Sequence, residues 1–595
     1  MIAWLAAVAL ASDTEPAPPA ETPPVAEPTP PSDPAESSDL EALRADLAAT
    51  EKRLDELQKQ IADTRLALIP KDTLKLTFEG HYRTRASMYG HLFASQTDAA
   101  GDHDTARLMT HQLLLRPKLD FRDVAKFWAE FRALDDVVWG DNASLASTAV
   151  FAGSPSNTGL DGVEEPTVTV ARAWIEANVA VGVLRVGRQP SQWGMGLLAN
   201  SGDRLDQDFG DSHHPTTSDR VLFATRPFAI AHRISGKGDP DIPLIAAIGV
   251  DRLVEDPLIQ FHGFECPPGP VTSDDPEYDL RCDIDSDGVT DQTHSWVDDT
   301  RTAEQRGGDW WADPDDDVQQ MVYVLAYRGE NVRYWGRKGE LTAGVYAVNR
   351  RQTETSSKVW VLDGHVHLKN RGFLADAEAI AITGDTRGIT LPSTGPDPLA
   401  KEARLWGYVA RVGYERPMGK LAMEVGYASG DENVSDETFS GRPLHPDHNV
   451  GLLLYEEVLS RVTANGWTES ARGLWSNGGV YNSRYVFPTV TVTPGENWKG
   501  VVGLLTAWPD KPDGAVIRCH ADDRTGCALP ASEQATARSL GWELDAMLSH
   551  TWYEHLSARI EAGYLHATDR IPLDAAGLDP KGRVWTVQSR IAYTF

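Results

Sequence analysis

The chain has 595 residues, with 56 Lys and Arg against 87 Asp and Glu, for a net charge of −31. So acidic a chain is a poor partner for nucleic acid, which is not expected to bind, and it attracts divalent cations instead. Mean hydropathy is −0.36, and beyond the N-terminus no apolar run reaches the ~18 residues a spanning helix needs. A spanning strand needs only about ten residues, half of them apolar, so a membrane β-barrel stays open.

Residues 2–11 form a short apolar run, and Ala9-Leu10-Ala11 has the small-x-small form of a cleavage site, so 1–11 is expected to be a signal peptide although no Lys or Arg precedes it. Residues 12–38 are Pro, Ala, Glu, Thr and Ser without an aromatic, the composition of an extended linker. Between 39 and 69, Leu40, Leu47, Leu54, Ile61 and Leu68 fall seven apart, with Leu43, Thr50, Leu57 and Thr64 interleaved. This predicts a coiled coil, whose apolar seam needs partners, most simply copies of itself. The segment resembles the periplasmic coiled coil that precedes the barrel in several trimeric porin families. Pro70 ends it.

From Leu74 the period changes from 3.5 to 2. Leu74, Leu76, Phe78, Tyr82 and Met88 share one face, and Lys75, Glu79, Arg83 and Arg85 the other. Phe127, Ala129 and Phe131 alternate with Trp128, Glu130 and Arg132, and Ala171, Ala173 and Ile175 with Arg172, Trp174 and Glu176. Late in the chain Leu540, Trp542, Leu544 and Leu548 oppose Glu543 and Asp545. The stretch Val584–Phe595 puts Trp585, Val587, Ile591, Tyr593 and Phe595 against Thr586, Gln588, Arg590, Ala592 and Thr594. Such segments predict an all-β transmembrane fold over 70–595, a large antiparallel up-and-down barrel of about 16–18 strands, with the coiled-coil helix before it. Phe595 resembles the terminal signal that outer-membrane barrels show to their assembly machinery. Tight links near 121–124, 416–419 and 553–555 alternate with long ones near 140–165, 191–218, 255–317, 385–400, 430–450 and 510–536. The first set reads as periplasmic turns and the second as external loops, 255–317 being the largest and strongly acidic.

The inner faces carry the candidate pore residues: Arg83, Arg85, Arg116, Lys118, Glu130, Arg132, Arg172, Glu176, Arg185, Arg559, Glu561 and Arg590. Unpaired charge cannot stay dry, so either water fills the lumen or these groups pair within a plug. The stretch Val186-Gly187-Arg188-Gln189-Pro190, the Gly-rich run to Asn200, Asp219-Arg220-Val221, Gly426–Asp431, Phe439 and Asn449–Leu452 resemble the alginate-export type of outer-membrane barrel, and more closely a group of uncharacterised myxobacterial barrels. In the alginate-export type Arg and Lys draw an acidic polymer through the pore. The resemblance implies that Arg188 and Arg220 line the lumen or its constriction.

Asp283, Asp285, Asp287 and Asp291 follow the spacing of a calcium loop, with Gly288 at the bend and His294 where a bidentate Glu would stand, so Ca²⁺ is a candidate ligand. Four cysteines allow three connectivities; the local pairs Cys266 with Cys282 and Cys519 with Cys527 each fall within one long loop. His213-His214, His365 with His367, and His445-Pro446-Asp447-His448 are the residues an enzyme would use, but G-x-S-x-G and H-E-x-x-H are absent from the sequence. No catalytic activity is expected.

The leading expectation is therefore a porin-like channel in the bacterial outer membrane, in contact with its lipids, with the N-terminal segment in the periplasm. It would pass polar or anionic solutes, with polysaccharide export as an extension. The alternative is a structural or adhesive barrel with a plugged lumen. A third reading, a hydrolase, needs two His and a carboxylate to converge at the outer rim.

Overall fold

The computed structural model describes residues 74–595, apart from several short stretches and the segments 141–167, 266–293, 299–318, 387–400, 466–475 and 513–535. The expected signal peptide, linker and coiled coil, the Asp283–Asp291 loop, His213 and all four cysteines lie outside the described residues.

Eighteen strands close into one antiparallel barrel. In chain order they are β1 (Lys75–Gly90), β2 (Thr105–Phe121), β3 (Ala125–Gly140), β4 (Val168–Val179), β5 (Gly182–Pro190), β6 (Thr217–Thr225), β7 (Leu244–Leu253), β8 (Gln319–Tyr334) and β9 (Arg337–Gln352). There follow β10 (Ser357–Asn370), β11 (Phe373–Thr386), β12 (Lys401–Arg416), β13 (Gly419–Ala428), β14 (Ser483–Gly495), β15 (Trp498–Pro509), β16 (Gly541–Trp552), β17 (Leu556–Ala567) and β18 (Arg583–Thr594). Each pairs with the next. Pairing of β1 with β18 completes the ring and leaves no open edge.

The seam is tightly fitted. Gly80 and Phe595 exchange both backbone hydrogen bonds, at 3.0 and 3.1 Å. At the other end of β1 a Cβ on Gly90 would stand 2.1 Å from the Trp585 ring, so only glycine fits beneath that indole.

Alternation decides which residues meet lipid. Leu76, Phe78, Ile175, Val250, Leu362, Val412, Leu544, Ile560 and Ile591 are exposed on the outer face around the ring. Aromatics gather near both ends of the strands: Tyr323, Trp360, Trp406 and Trp542 toward one, and Tyr414, Trp498, Trp552, Tyr593 and Phe595 toward the other. From Trp542 to Trp552 the strand climbs about 33 Å, which a barrel tilt reduces to about 25 Å, the height of an outer-membrane apolar band. Leu540 departs from its expected outward place. It precedes β16 and is buried among the residues above the strand.

The connections sort by end. Turns such as 180–181, 371–372, 417–418 and 553–555 lie at the end that also holds Lys75 and Thr594, and the strand ends joined by the six expected long connections are all at the opposite end. The short-turn end has one long connection that the pattern did not announce, residues 226–243, with the helix α1 (Pro227–Ile234) opened by a proline at its first turn.

Two long-loop segments turn into the barrel. The first is 191–216. The second, between β13 and β14, contains a π-helical turn (Leu454–Leu459) running into the short helix α2 (Ser460–Asn465). Val450, Leu452, Leu453, Leu454, Tyr455, Val458, Leu459 and Val462 are buried with Leu505, Leu565, Val584 and Tyr485 of the wall. Each enclosed leucine contributes about 2 kcal/mol by leaving water. An apolar core therefore occupies the interior on the long-loop side.

A charge placed on the outer band should be costly. Ile560→Lys is expected to destabilise the barrel by about 2–4 kcal/mol, measured by reversible denaturant unfolding in lipid vesicles.

Candidate functional site: the charged lumen

The inward residues of β2, β3 and β4 meet at one carboxylate. Glu130 is fully buried and binds Arg116 at 2.6 Å, Arg132 at 3.0 Å and Arg172 at 3.1 Å. Arg172, equally buried, also donates to the Ser201 carbonyl at 2.7 Å and to Thr217 Oγ1 at 3.2 Å, so the first inserted segment completes its shell. Lys118 sits over the Trp128 ring at 4.4 Å, and Trp128 stacks on Trp174. Farther from this cluster, Arg185 pairs with Glu176 at 2.7 Å.

The second cluster joins β1, β17 and β18 to the inserted segment 191–216. Its carboxylate, Asp211, binds Arg85 at 2.7 Å, Arg83 at 3.6 Å and Arg590. Arg85 also reaches Glu561 at 3.2 Å, and Glu561 takes Arg559 at 2.9 Å and the Gly210 N–H at 3.0 Å. Four guanidinium groups thus converge on one wall carboxylate and one loop carboxylate. Only the wall partner was legible as a lumen residue, since no periodicity marks Asp211.

Arg220 faces inward and pairs with Asp251 at 2.7 Å, with Tyr346 OH at 3.4 Å. Arg188 does not line the lumen. It pairs directly across β5 and β6 with Asp219, one alternation from Val186 opposite Val221, and both valines are exposed on the outer face. The reason is parity: Arg185 and Arg188 are three apart on one strand, so they take opposite faces.

The same inner face on β10–β15 holds further charge, of which the sequence pattern did not single out Arg411, Lys420, Glu424 and Lys499. Arg411 and Lys420 stand with Glu424, which accepts from Arg411 Nε at 2.7 Å and from Tyr485 OH at 2.7 Å. Lys499 pairs with Asp208 of the inserted segment at 2.8 Å. His365 Nε2 and His367 Nδ1 contact the two oxygens of Asp376, at 2.7 and 3.1 Å. Two His and a carboxylate thus meet on the lumen wall rather than at the outer rim, and each oxygen serves one ring. Among the described residues no group of three such side chains is arranged to hold a metal ion. His445 accepts the Asp447 N–H at Nδ1 and lies 2.9 Å from Thr216 Oγ1 through Nε2. Burial pushes its pKa down to about 4, so the neutral ring donates from Nε2. It ties the two inserted segments together.

On the short-turn side the lumen is hollow. A cavity of about 840 Å³ is bounded by Glu79, His81, Arg116, Lys499, Arg559 and Arg590. A second, of about 530 Å³, reaches inward past Arg411, Lys420, His365 and His367. Asp206, Gln207 and Lys499 border both. Such polar walls hold water.

No described protein family matches the chain, and no curated protein is similar to it. Among solved structures, Pseudomonas aeruginosa OccK1 (OpdK) aligns with 10% identity over 87% of this chain and 98% of its own, with a TM-score of 0.42. OccK2 (OpdF) of the same organism, in complex with glucuronate, aligns with 9% identity over 87% of this chain and 96% of its own, TM-score 0.41. OpdQ gives 8% identity, 87% and 97% coverage and a TM-score of 0.42.

Removing the hub of the first cluster strands three cations. Glu130→Gln is expected to cost about 3–5 kcal/mol, read as a lowered midpoint of denaturant unfolding, while Glu176→Gln, at the partly exposed pair, costs under about 1 kcal/mol.

Proposed function

We propose that this chain is a bacterial outer-membrane channel for small polar or anionic solutes, entered on one side through the water-filled chambers of the short-turn end. The carrying observation is the pair of adjoining cavities, bordered by Arg116, Arg559, Arg590, Lys499, Lys420 and Arg411 inside a closed barrel with an apolar outer band. A merely structural barrel has no use for two polar chambers walled by these cations together with Glu79, Asp206, Asp208, Asp376 and Glu424. The inserted segments 191–216 and 437–465 form the constriction. They also favour small solutes over the acidic polymer that the alginate-export resemblance implies, since a polymer strand needs a wide continuous path.

The second reading, a plugged structural barrel, draws on the buried Leu452–Leu459 core. In the channel reading that core is a closed or narrowed state. We further assign the coiled coil to the periplasm as an oligomerising handle, most simply for a trimer, Phe595 to recognition by the barrel-assembly machinery, and Ca²⁺ to Asp283, Asp285, Asp287 and Asp291. Conduction needs none of them.

The test is single-channel recording of the refolded full-length protein in a planar bilayer. Discrete steps are expected, and removal of Leu452–Asn465 should enlarge them several-fold. Lys420→Glu with Lys499→Glu should shift the reversal potential in a salt gradient toward cations. A folded, inserted protein that gives no current, with or without the inserted segment, overturns the reading.

A further inference from the structure

Three carboxyl groups at the base of the apolar insert carry no countercharge. Glu543 and Asp545 stand two residues apart on the inner face of β16, both fully buried. Glu543 accepts the N–H groups of Leu452, Leu453 and Leu454 at 2.6, 2.8 and 2.7 Å, so a wall carboxylate holds the start of the inserted helix. Neither oxygen of Asp545 meets an N–H or hydroxyl donor, which leaves the neighbouring Glu543 carboxyl as its partner. The two carboxyls crowd one glycine: a Cβ on Gly451 would lie 2.8 Å from Glu543 Oε1 and 3.1 Å from Asp545 Oδ2. Glu456, in the first turn of the insert, has its Oε1 shut off from solvent without a partner.

Every other charge facing this pocket is committed. Glu457 of the insert pairs with Arg461 at 2.8 Å, and Asp447 accepts the His214 N–H at 3.0 Å. Glu561 on β17 is held by Arg85 and Arg559, and Arg85 on β1 is shared between Glu561 and Asp211. Tyr89 on β1 and Tyr455, whose hydroxyl lies 2.9 Å from Ser483 Oγ, are the nearby phenols. No Lys or Arg among the described residues forms an ion pair with Glu543, Asp545 or Glu456.

Ionised carboxylates packed this closely and kept dry would repel each other and forfeit their hydration. The bond available to Asp545 is to Glu543, and two carboxyls share a bond only through a proton. Burial likewise raises the Glu456 carboxyl well above the ordinary carboxylate range. The first inserted segment repeats the arrangement. Glu378 accepts the N–H groups of Met195 and Leu197, and Asp363 beside it takes Trp193 Nε1 at 3.0 Å with its other oxygen unpartnered.

We propose that the insert Asn449–Asn465 is a proton-latched gate, docked on β16 while Asp545, bonded to the Glu543 carboxylate, and Glu456 retain protons and released when they ionise. The docked state binds more protons than the released one. Docking is therefore strongest at pH values below the ordinary carboxylate range and is lost as pH rises through the range of the docked groups. Each pH unit by which one group is raised is worth tenfold in the docking equilibrium.

The full-length protein in lipid vesicles decides it, by hydrogen exchange of the Leu452–Leu454 amides corrected for intrinsic rates, at about pH 6 and about pH 9, beside bilayer recordings at the same values. Protection should fall at least about tenfold on raising the pH, and open probability should rise. Asp545→Asn should remove most of that dependence, and Glu496→Gln, at the short-turn rim, should leave it intact. Protection that does not change with pH in the unmodified protein overturns the gate, as does an Asp545→Asn protein with an unaltered pH profile. If Asp545→Asn does not fold, the unmodified protein decides alone. The inference rests on the channel reading for its electrical readout only. A pH-dependent loss of protection with no current at any pH keeps the latch and rejects the channel, whereas current with constant protection does the reverse.

Discussion

Charge that leaves water must find a partner, and the interior of this barrel is built around that rule. Alternation along eighteen strands sends every second residue inward, and much of that inner surface is charged. Where the inserted segments exclude solvent, the charges are gathered on hubs: three guanidiniums on Glu130, and four on Asp211 and Glu561. Paired in this way a dry interior is tolerable, and removing one partner of such a cluster costs far more than the cluster itself contributes. Asp211 belongs to a loop, so the wall is electrostatically complete only when that loop is in place.

The lumen is consequently divided in character. Toward the long loops it is a core of ordinary protein packing, with leucine, valine and tyrosine from the insert against leucine and valine of the wall. Toward the short turns it is hollow, and paired cations and carboxylates there border two cavities. At that end Arg, Lys and His, together with Glu79 and Asp206, lie outside the apolar core of the insert. Where the two regions join, the backbone of both inserts is held by wall carboxylates, Glu378 and Glu543, through charge-assisted hydrogen bonds.

The sequence pattern reveals strands and faces well, because lipid on one side and a polar interior on the other leave a period of two in the residues themselves. The outward row of β18, the inward Arg559 and Glu561, and the ends at which long and short connections fall all follow from it. Period says nothing about where a loop goes. The inward turn of 191–216 and 437–465 depends on contacts made hundreds of residues away, such as Asp211 with Arg590, and no local signal encodes them. Leu452-Leu453-Leu454-Tyr455 was a hint, since four large apolar residues in an external loop have no reason to face water. Arg188 lies on the outer face, against what the motif resemblance implies, because it stands three residues from the inward Arg185. The 226–243 connection breaks the short-turn rule without any compositional warning.

The β1–β18 seam joins strands from the two ends of the described chain. Gly80 and Phe595 form their two hydrogen bonds across nearly the whole chain, and Arg85 meets Glu561 at a separation of 476 residues. Closing so large a loop is entropically late, so growth of the sheet proceeds with two unsatisfied edges until β18 arrives. Through that interval each edge is a template for pairing with a neighbour's strand. The net charge of −31 then acts on a molecule that has no barrel yet: it keeps half-built copies apart by mutual repulsion. The acidic excess over what the interior pairs thus protects the most aggregation-prone stage of making the fold.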